Sequence, residues 1–193
     1  MIQILQKTVR NAFSFEGKGL HSGLYAHMTV NPAPVGYGIK FRRIDIGENA
    51  YVEALATNVS STARSTTISN GEVSVMTVEH LLSELTGLGV DNAIIDIDNI
   101  EVPILDGSAK AYVDSIWPDG LLEQDEPRKL LEITEEIEIH DENTGSYIRI
   151  TPSDFPTYEV NIDFNSAVLG VQTANWSPKM VYAKEIGVCR TFV

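Results

Sequence analysis

The alternation of hydrophobic and polar residues predicts short β-strands through the first third of the chain. The strand-like segments lie at residues 7–15, 25–30 and 39–43, and turns rich in Gly, Ser, Asn and Pro separate them. Residues 92–98 alternate in the same way, which predicts a strand with one buried face. A further strand is predicted at residues 158–164. The chain therefore begins as β-structure and returns to it after a helical region.

A different periodicity marks the best helix of the sequence. From Val78 to Leu88, valine and leucine recur at i, i+3, i+4, i+7 and i+10, which forms one apolar stripe on a helix. Thr77 stands where an N-cap hydroxyl belongs, and Gly87 and Gly89 supply the end of the helix.

Two shorter helices are predicted further along the chain. Ser108 is expected to cap the first of them, and the Pro-Asp-Gly turn at residues 118–120 is expected to end it. The second is expected to begin at Ser177 and Pro178, with serine as the cap and proline at the first helical position, and to end at Gly187.

The chain carries a faint internal duplication at an offset of 120 residues. The segment Val-Asn-Pro at residues 30–32 is similar to Ile-Thr-Pro at residues 150–152. The strand-like segments 38–43 and 158–164 lie at nearly the same offset. Two related domains explain this pattern, and chance similarity between two hairpins is the alternative.

Residues 123–127 have the composition of a linker, because they are charged, lack apolar periodicity and end in proline. We therefore predict a first domain at residues 1–122, the linker at 123–127 and a second domain at 128–193. At the offset of the duplication, Val193 corresponds to Val73, which precedes the helix of the first domain. The second domain is thus expected to be incomplete in this chain.

Composition and the absence of certain sequence motifs argue against several classes of protein. The 14 basic and 27 acidic side chains give a net charge of −13, which argues against a nucleic-acid partner and against a ribosomal protein. No apolar run is long enough for a transmembrane segment, and residues 1–7 do not resemble a secretory signal. A small-molecule kinase would need a Gly-rich phosphate loop, which we do not find. The single cysteine, Cys189, fits a reducing compartment, so we predict a cytoplasmic location.

Candidate chemistry begins at Glu79 and His80, in the first turn of the helix after Thr77. At this end the helix dipole favours an ionised carboxylate and a neutral imidazole. A neutral imidazole is the form that ligates zinc, and a neighbouring carboxylate can accept a proton from a water that zinc activates. The alternative is a helix-capping glutamate beside a surface histidine.

Six segments in a fixed order carry a resemblance to a known family. Together they resemble the UDP-3-O-acyl-N-acetylglucosamine deacetylases, the zinc amidases of bacterial lipid A (lipopolysaccharide) synthesis. The similarity runs from about Lys7 to the end of the chain and concerns the N-terminal part of the family. The segments are Gly19–Gly23, Arg64–Ile68, Thr77–Leu81, Gly87–Asn92, Pro103–Ala109 and Arg190–Phe192.

The resemblance implies an α+β fold with two similar domains, each a sheet layered against helices, and an active site between them. It implies that Glu79 is the general base, that His80 is a zinc ligand and that the Thr191 hydroxyl stabilises the oxyanion. Ser65 and Thr66 would lie in a loop near the substrate. The remaining family ligands, a histidine and an aspartate from a His-Lys-x-x-Asp helix, have no counterpart in this chain.

The implied reaction is zinc-dependent hydrolysis of the acetamide of UDP-3-O-(3-hydroxyacyl)-N-acetylglucosamine to the free amine and acetate. A catalytic zinc needs three protein ligands, so we expect this chain to be inactive alone. Some family members are fused at the C-terminus to a hydroxyacyl-carrier-protein dehydratase, and such a fusion is a further expectation here. The alternative function is a non-catalytic scaffold or interaction module with the same fold.

Overall fold

The computed structural model describes residues 4–117 and 120–191, which form two compact units. The first unit runs to Arg128 and resumes at Tyr182, and the second covers Lys129–Val181. Both contain β-structure, and the described helices are few and short. None of these helices is both long enough and apolar enough to cross a membrane.

The first unit contains most of the regular structure. Its strands are β1 (Leu5–Val9), β2 (Phe13–Lys18), β3 (Tyr25–Pro32), β4 (Ile39–Arg43), β5 (Tyr51–Glu53), β6 (Val59–Ser61), β7 (Thr67–Ser69), β8 (Ser74–Val75), β9 (Ala93–Ile97) and β10 (Leu121–Pro127). Its helices are α1 (Glu79–Leu88), α2 (Lys110–Ile116) and the short α3 (Tyr182–Glu185), with a 3₁₀ turn at Ala56–Asn58.

A mixed five-stranded sheet with the order β2-β3-β9-β4-β5 forms the centre of this unit. The central strand β9 pairs antiparallel with β3 and parallel with β4, so that Ile95 lies beside both Val30 and Phe41. Alternate residues of these strands join one hydrophobic cluster with the buried faces of α1 and α2. Leu81, Leu85, Tyr112 and Ile116 are the helical members that are at most 1% exposed.

The second unit consists of two antiparallel hairpins. Strand β11 (Ile137–His140) pairs with β12 (Tyr147–Ile150), and β13 (Tyr158–Asp163) pairs with β14 (Val171–Trp176). Most of their side chains are exposed on both faces. Mixed α and β structure is thus confirmed, whereas the architecture of two similar domains stays a prediction.

The predicted linker is wrong, because residues 123–127 belong to strand β10. This strand pairs with β1, with Lys7 opposite Glu123 and Leu5 opposite Pro127. The Gln124 side chain also donates to the Ala33 carbonyl (2.9 Å) and accepts from the Asn92 amide (2.8 Å). Charged residues and a terminal proline are compatible with a strand in a two-stranded sheet, where one edge stays solvated. The composition of a linker and that of an edge strand are therefore alike.

Two predicted helix starts also differ from the structure. Thr77 does not cap α1: its φ is 58°, and the N-cap position is Val78. The third helix begins at Tyr182 rather than Pro178, because the segment before it closes a turn through the Met180 N–H and the Ser177 carbonyl (2.9 Å). Proline and serine are as common in turns as at helix starts, which explains the error.

Other helix boundaries agree with the sequence to within one residue. Gly89, with φ of 85°, ends α1 in the left-handed conformation that glycine adopts readily. The predicted cap of α2 is wrong by one residue, because the N-cap position is Ala109; Ser108 Oγ still accepts a hydrogen bond from the Lys110 N–H (3.1 Å), the first residue of the helix. The predicted stop at residues 118–120 falls partly on Pro118 and Asp119, which lie outside the described residues.

Candidate active site

A cleft of about 340 Å³ in the first unit brings together side chains that are far apart in the sequence. Three of its walls come from the start of α1, the residue before α2, and the segment that contains α3. Glu79, His80 and Thr191 all line it, so the structure places the predicted base, metal ligand and oxyanion donor in one cavity. The other lining residues are Ser83, Ala109, Tyr182, Ile186, Cys189 and Arg190.

A larger depression of about 510 Å³ lies elsewhere on the unit and contains none of the predicted site residues. Its one cation, Arg42, already forms a bidentate pair with Asp96 through bonds of 2.6 and 2.7 Å. Because this guanidinium is neutralised, the depression offers little to a charged substrate. The chemistry is concentrated in the smaller cleft.

The loop with Ser65 and Thr66 is fastened to the start of α1 through Glu79. The Thr66 N–H donates to Glu79 Oε2 (2.9 Å), and the Thr66 carbonyl accepts from the Val78 N–H (3.3 Å). Ser65 is 8% exposed, and Arg64 before it has a φ of 62°. The backbone of this loop therefore orients the Glu79 carboxylate, while the roles of the Ser65 and Thr66 side chains stay predictions.

Glu101 is a buried carboxylate that the sequence did not single out. It is 1% exposed and accepts hydrogen bonds from the His21 N–H (3.0 Å), the Ser22 N–H (2.7 Å) and Thr77 Oγ1 (2.8 Å). Burial favours its neutral form, but these hydrogen bonds outweigh burial and hold the pKa of Glu101 below its usual range. The available signal was an acid between Ile100 and Val102, in an otherwise apolar stretch.

This carboxylate explains two features of the sequence. A Cβ at Gly19 would lie 2.3 Å from Glu101 Oε2, so only glycine fits there. Thr77 uses its hydroxyl for Glu101 instead of the helix end, which is why it does not cap α1. Glu101 thus joins the Gly19–Gly23 loop to Thr77, which lies two residues before Glu79, the first residue of α1.

Thr191 is fixed to the turn before α2. Its N–H donates to the Gly107 carbonyl (2.8 Å), and the neighbouring Arg190 lies 3.5 Å from Asp106 Oδ2. Asp106 Oδ1 accepts from both the N–H (3.1 Å) and the hydroxyl (2.6 Å) of Ser108, and this hydroxyl contact contributes most to lowering the pKa of Asp106. The segment that carries Thr191 therefore belongs to the first unit, although the sequence assigned it to the second domain.

His80 is the only histidine that lines the cleft. Of the other histidines, His27 pairs with Asp98 (2.7 Å) on the exposed sheet face, and His140 pairs with Glu138 (2.5 Å) in the second unit. Within residues 4–117 and 120–191, no three His, Cys, Asp or Glu side chains are grouped in a way that could hold a metal ion. The described residues therefore do not complete a metal site, and the role of His80 as a zinc ligand stays a prediction.

Glu84 is a second buried acid that the sequence did not reveal. It lies one turn after His80 on α1, is fully buried, and neither carboxylate oxygen has a hydrogen-bond partner among the described residues. Burial raises the pKa of Glu84 to about 8, and the charge of Asp114 adds to the shift. Glu84 is therefore largely neutral at pH 7. Its burial depends on tertiary packing, which helical periodicity does not predict.

Comparison with known proteins decides the family. The family model for UDP-3-O-acyl N-acetylglycosamine deacetylase, LpxC, matches residues 6–193. The chain belongs to this family. It is 43% identical over 194 residues to the UDP-3-O-acyl-N-acetylglucosamine deacetylase of Pseudomonas entomophila, an alignment covering 98% of this chain and 63% of the relative.

Similar relatives also include longer polypeptides. The chain is 43% identical to the bifunctional enzyme LpxC/FabZ of Porphyromonas gingivalis and 40% identical to that of Bacteroides thetaiotaomicron, covering 97% of this chain and 41% of each relative. The chain thus spans between about two fifths and two thirds of the curated LpxC relatives that it matches.

Proposed function

We propose that the whole protein is a zinc-dependent N-deacetylase of lipid A synthesis. It would hydrolyse the acetamide of UDP-3-O-(3-hydroxyacyl)-N-acetylglucosamine to the free amine and acetate. Membership of the LpxC family supports the reaction. The proposal for this chain rests on one observation: Glu79, His80 and Thr191 line the same cleft.

Glu79 is proposed as the general base. The Thr66 N–H holds one of its carboxylate oxygens at 2.9 Å, which would leave the other free to accept a proton from a reacting water. A carboxylate in this position accepts the proton of the water as the oxygen attacks the amide carbonyl and later returns a proton to the departing amine. General acid–base assistance of this kind is typically worth about 10²–10⁴-fold in rate.

His80 is proposed as one ligand of the zinc ion, with the other ligands supplied from elsewhere in the whole protein. Zinc bound there would supply Lewis acidity to the water and the carbonyl oxygen. The imidazole sits on the first turn of α1, directly beside the base. Its position on a helix keeps it in a fixed relation to Glu79.

Thr191 is proposed to donate its hydroxyl to the negative charge that develops on the carbonyl oxygen. Its backbone is held by the Gly107 carbonyl, so the side chain is presented from a fixed position. Removing one such donor typically costs about 10²–10³-fold in kcat.

Two further parts of the proposal concern context. Two LpxC relatives are named as bifunctional with FabZ, and a C-terminal fusion to a hydroxyacyl-carrier-protein dehydratase is the corresponding proposal for this protein. The reading frame after residue 193 tests it. We also propose a cytoplasmic location, which the single cysteine supports.

The deciding experiment is a deacetylation assay of the whole protein with and without zinc. We expect Glu79→Ala to lower kcat by at least about 10²-fold. His80→Ala should in addition release zinc on dialysis. Glu72→Ala, at an exposed position in the β7–β8 turn, is the matched control and should retain full activity. If the wild type shows no turnover, and Glu79→Ala does not differ from it, the result would favour the non-catalytic scaffold.

A further inference from the structure

The wall of the cleft that contains α3 contacts α1 through the side chain of Tyr182. A Cβ at Gly87 would lie 2.4 Å from the Cγ and Cδ2 atoms of the tyrosine ring, so the ring rests directly on the helix backbone. The Tyr182 hydroxyl lies 2.6 Å from Ser83 Oγ. Ser83 and Gly87 are four residues apart and therefore share one face of the helix. Together the ring and the hydroxyl form one anchor on α1.

Gly87 marks this anchor in the sequence. A glycine inside a helix lowers its stability relative to alanine, and Gly87 lies within α1, before the left-handed Gly89 that ends it. Helix geometry therefore does not require Gly87, but the contact with the Tyr182 ring does. The close approach explains why a helix with a strong apolar stripe contains this residue.

The chain from Tyr182 to Thr191 is held at both ends. Gly187, near the middle of this segment, packs closely on helix α2: a Cβ at this glycine would lie 2.6 Å from Val113 Cγ2. At the far end, the Thr191 N–H donates to the Gly107 carbonyl (2.8 Å). Tyr182 fastens the segment to α1, and the helix that bears Glu79 and His80 is this same helix.

We propose that Tyr182 is a positioning residue: its packing on Gly87 and Ser83 holds the segment 182–191 so that Thr191 stays in the cleft with Glu79 and His80. The part that concerns catalysis rests on the proposed function, because it assigns the oxyanion role to Thr191. The anchor itself rests on the contacts alone, and the two parts are tested separately.

The anchor is tested by amide hydrogen exchange of this chain, followed residue by residue by NMR. We expect Gly87→Ala and Tyr182→Ala each to speed exchange of the Thr191 amide by at least about tenfold through local opening. The amide of Ile95, in the central strand, should stay protected and shows that the fold persists. Gly47→Ala is the matched control, because a Cβ there meets nothing within 4 Å. Unchanged exchange at Thr191 in both variants would overturn the anchor.

Conservative replacement separates the ring from the hydroxyl. Tyr182→Phe keeps the ring on Gly87 and loses only the contact with Ser83, so exchange at Thr191 should rise by no more than about threefold, as expected for one partly exposed hydrogen bond. An effect as large as that of Tyr182→Ala would show that ring packing is not what holds the segment, which contradicts the proposal.

The positioning role is tested by kinetics of the whole protein. Tyr182→Ala should lower kcat by at least about tenfold, with KM changed little, because the misplaced group acts in the transition state. If Tyr182 acts through Thr191, the same change made on top of Thr191→Val should have almost no further effect. Faster exchange with unchanged kcat, or additive effects in the double variant, would refute the positioning role. An inactive wild type would instead refute the proposed function.

Discussion

The two units use similar hairpins but bury them very differently. In the first, β9 lies between the hairpins β2–β3 and β4–β5, and Val30, Phe41 and Ile95 across it are fully buried. In the second, each hairpin forms a two-stranded sheet by itself among the described residues, and Ile139 and Ile148 are 66% and 67% exposed. A hairpin by itself is only marginally stable. The central strand and the helices packed on the sheet give the first unit its hydrophobic core.

The strands of the second unit nevertheless alternate as if one face were meant to be covered. Ile137, Ile139, Ile148 and Ile150 share one face of the β11–β12 hairpin, by their register. Tyr158, Val160 and Trp176 share one face of the other hairpin. At the offset of 120 residues, β12 and β13 fall on β3 and β4, which is consistent with the duplication but does not test it. We therefore keep the duplicated architecture as a prediction.

The largest expected difference between the units concerns a buried acid. The folded first unit raises the pKa of Glu84 to about 8, so between pH 4.5 and 8 the folded state keeps a proton that the unfolded state releases. Stability should therefore fall as pH rises through this range, by roughly 5 kcal/mol in total. Glu84→Gln should remove that dependence in urea unfolding followed by Trp117 fluorescence in a Trp176→Phe background.

The matched control lies in the second unit. His140 and Arg149 lower the pKa of Glu138 in the folded state, so its titration does not produce a loss of stability as pH rises. Glu138→Gln should leave the alkaline slope of the first unit intact. A slope that survives Glu84→Gln would show that another group is responsible.

Truncation of the central strand should produce the next largest effect. Ile95→Ala removes a fully buried side chain that touches both neighbouring strands, and we expect a loss of about 3 kcal/mol in the free energy of unfolding. Ile148→Ala is the same kind of change at an exposed position and should cost no more than about 0.5 kcal/mol. Urea midpoints are measured by fluorescence, with Trp117 reporting on the first unit and Trp176 on the second. Equal losses would contradict the contrast in burial.

Glu101 should give a smaller change with the opposite dependence on pH. Because hydrogen bonds hold its pKa below the usual range, its contribution is present above about pH 4.5 and is lost as pH falls through the folded-state pKa. Glu101→Gln should cost about 2 kcal/mol at pH 7, and the difference from the wild type should vanish in acid. Acid titration of stability for both proteins checks this, and a constant difference would refute the hydrogen-bond explanation.

The smallest effect is expected at the surface. Lys110 and Asp114 form an i, i+4 ion pair on α2 with both side chains more than half exposed. Lys110→Ala should change stability by no more than about 0.5 kcal/mol, and 0.5 M salt should abolish the difference. A larger loss would indicate that surface charge, rather than the core, distinguishes the first unit.

The sequence predicted those parts of the fold that local periodicity controls. Strand β4 has the predicted bounds, Ile39–Arg43, and Gly89 ends α1 as expected. The failures occur where distant contacts decide the conformation. The Thr77 hydroxyl donates a hydrogen bond to the Glu101 carboxylate instead of capping α1, and residues 123–127 pair with the N-terminal strand β1. Local patterns contain no information about such partners.

The candidate site shows the same division. Glu79 and His80 could be predicted from the helix and the family resemblance, because they are neighbours at its start. Their meeting with Thr191 depends on the Gly107 carbonyl and on Tyr182, which only the folded chain brings together. Glu84 was missed because the groups that interact with it, Asp114 of α2 and Tyr182 of α3, are distant in the sequence.

The central claim is that His80 and Glu79 stand at the metal of a deacetylase, and a zinc anomalous-scattering map of the whole protein tests it most directly. We predict one fully occupied ion about 2.0–2.1 Å from a ring nitrogen of His80, the usual zinc–imidazole distance. The Glu79 carboxylate should lie on the open side of that ion. An ion bound at full occupancy away from His80, with deacetylation intact, would contradict the assignment.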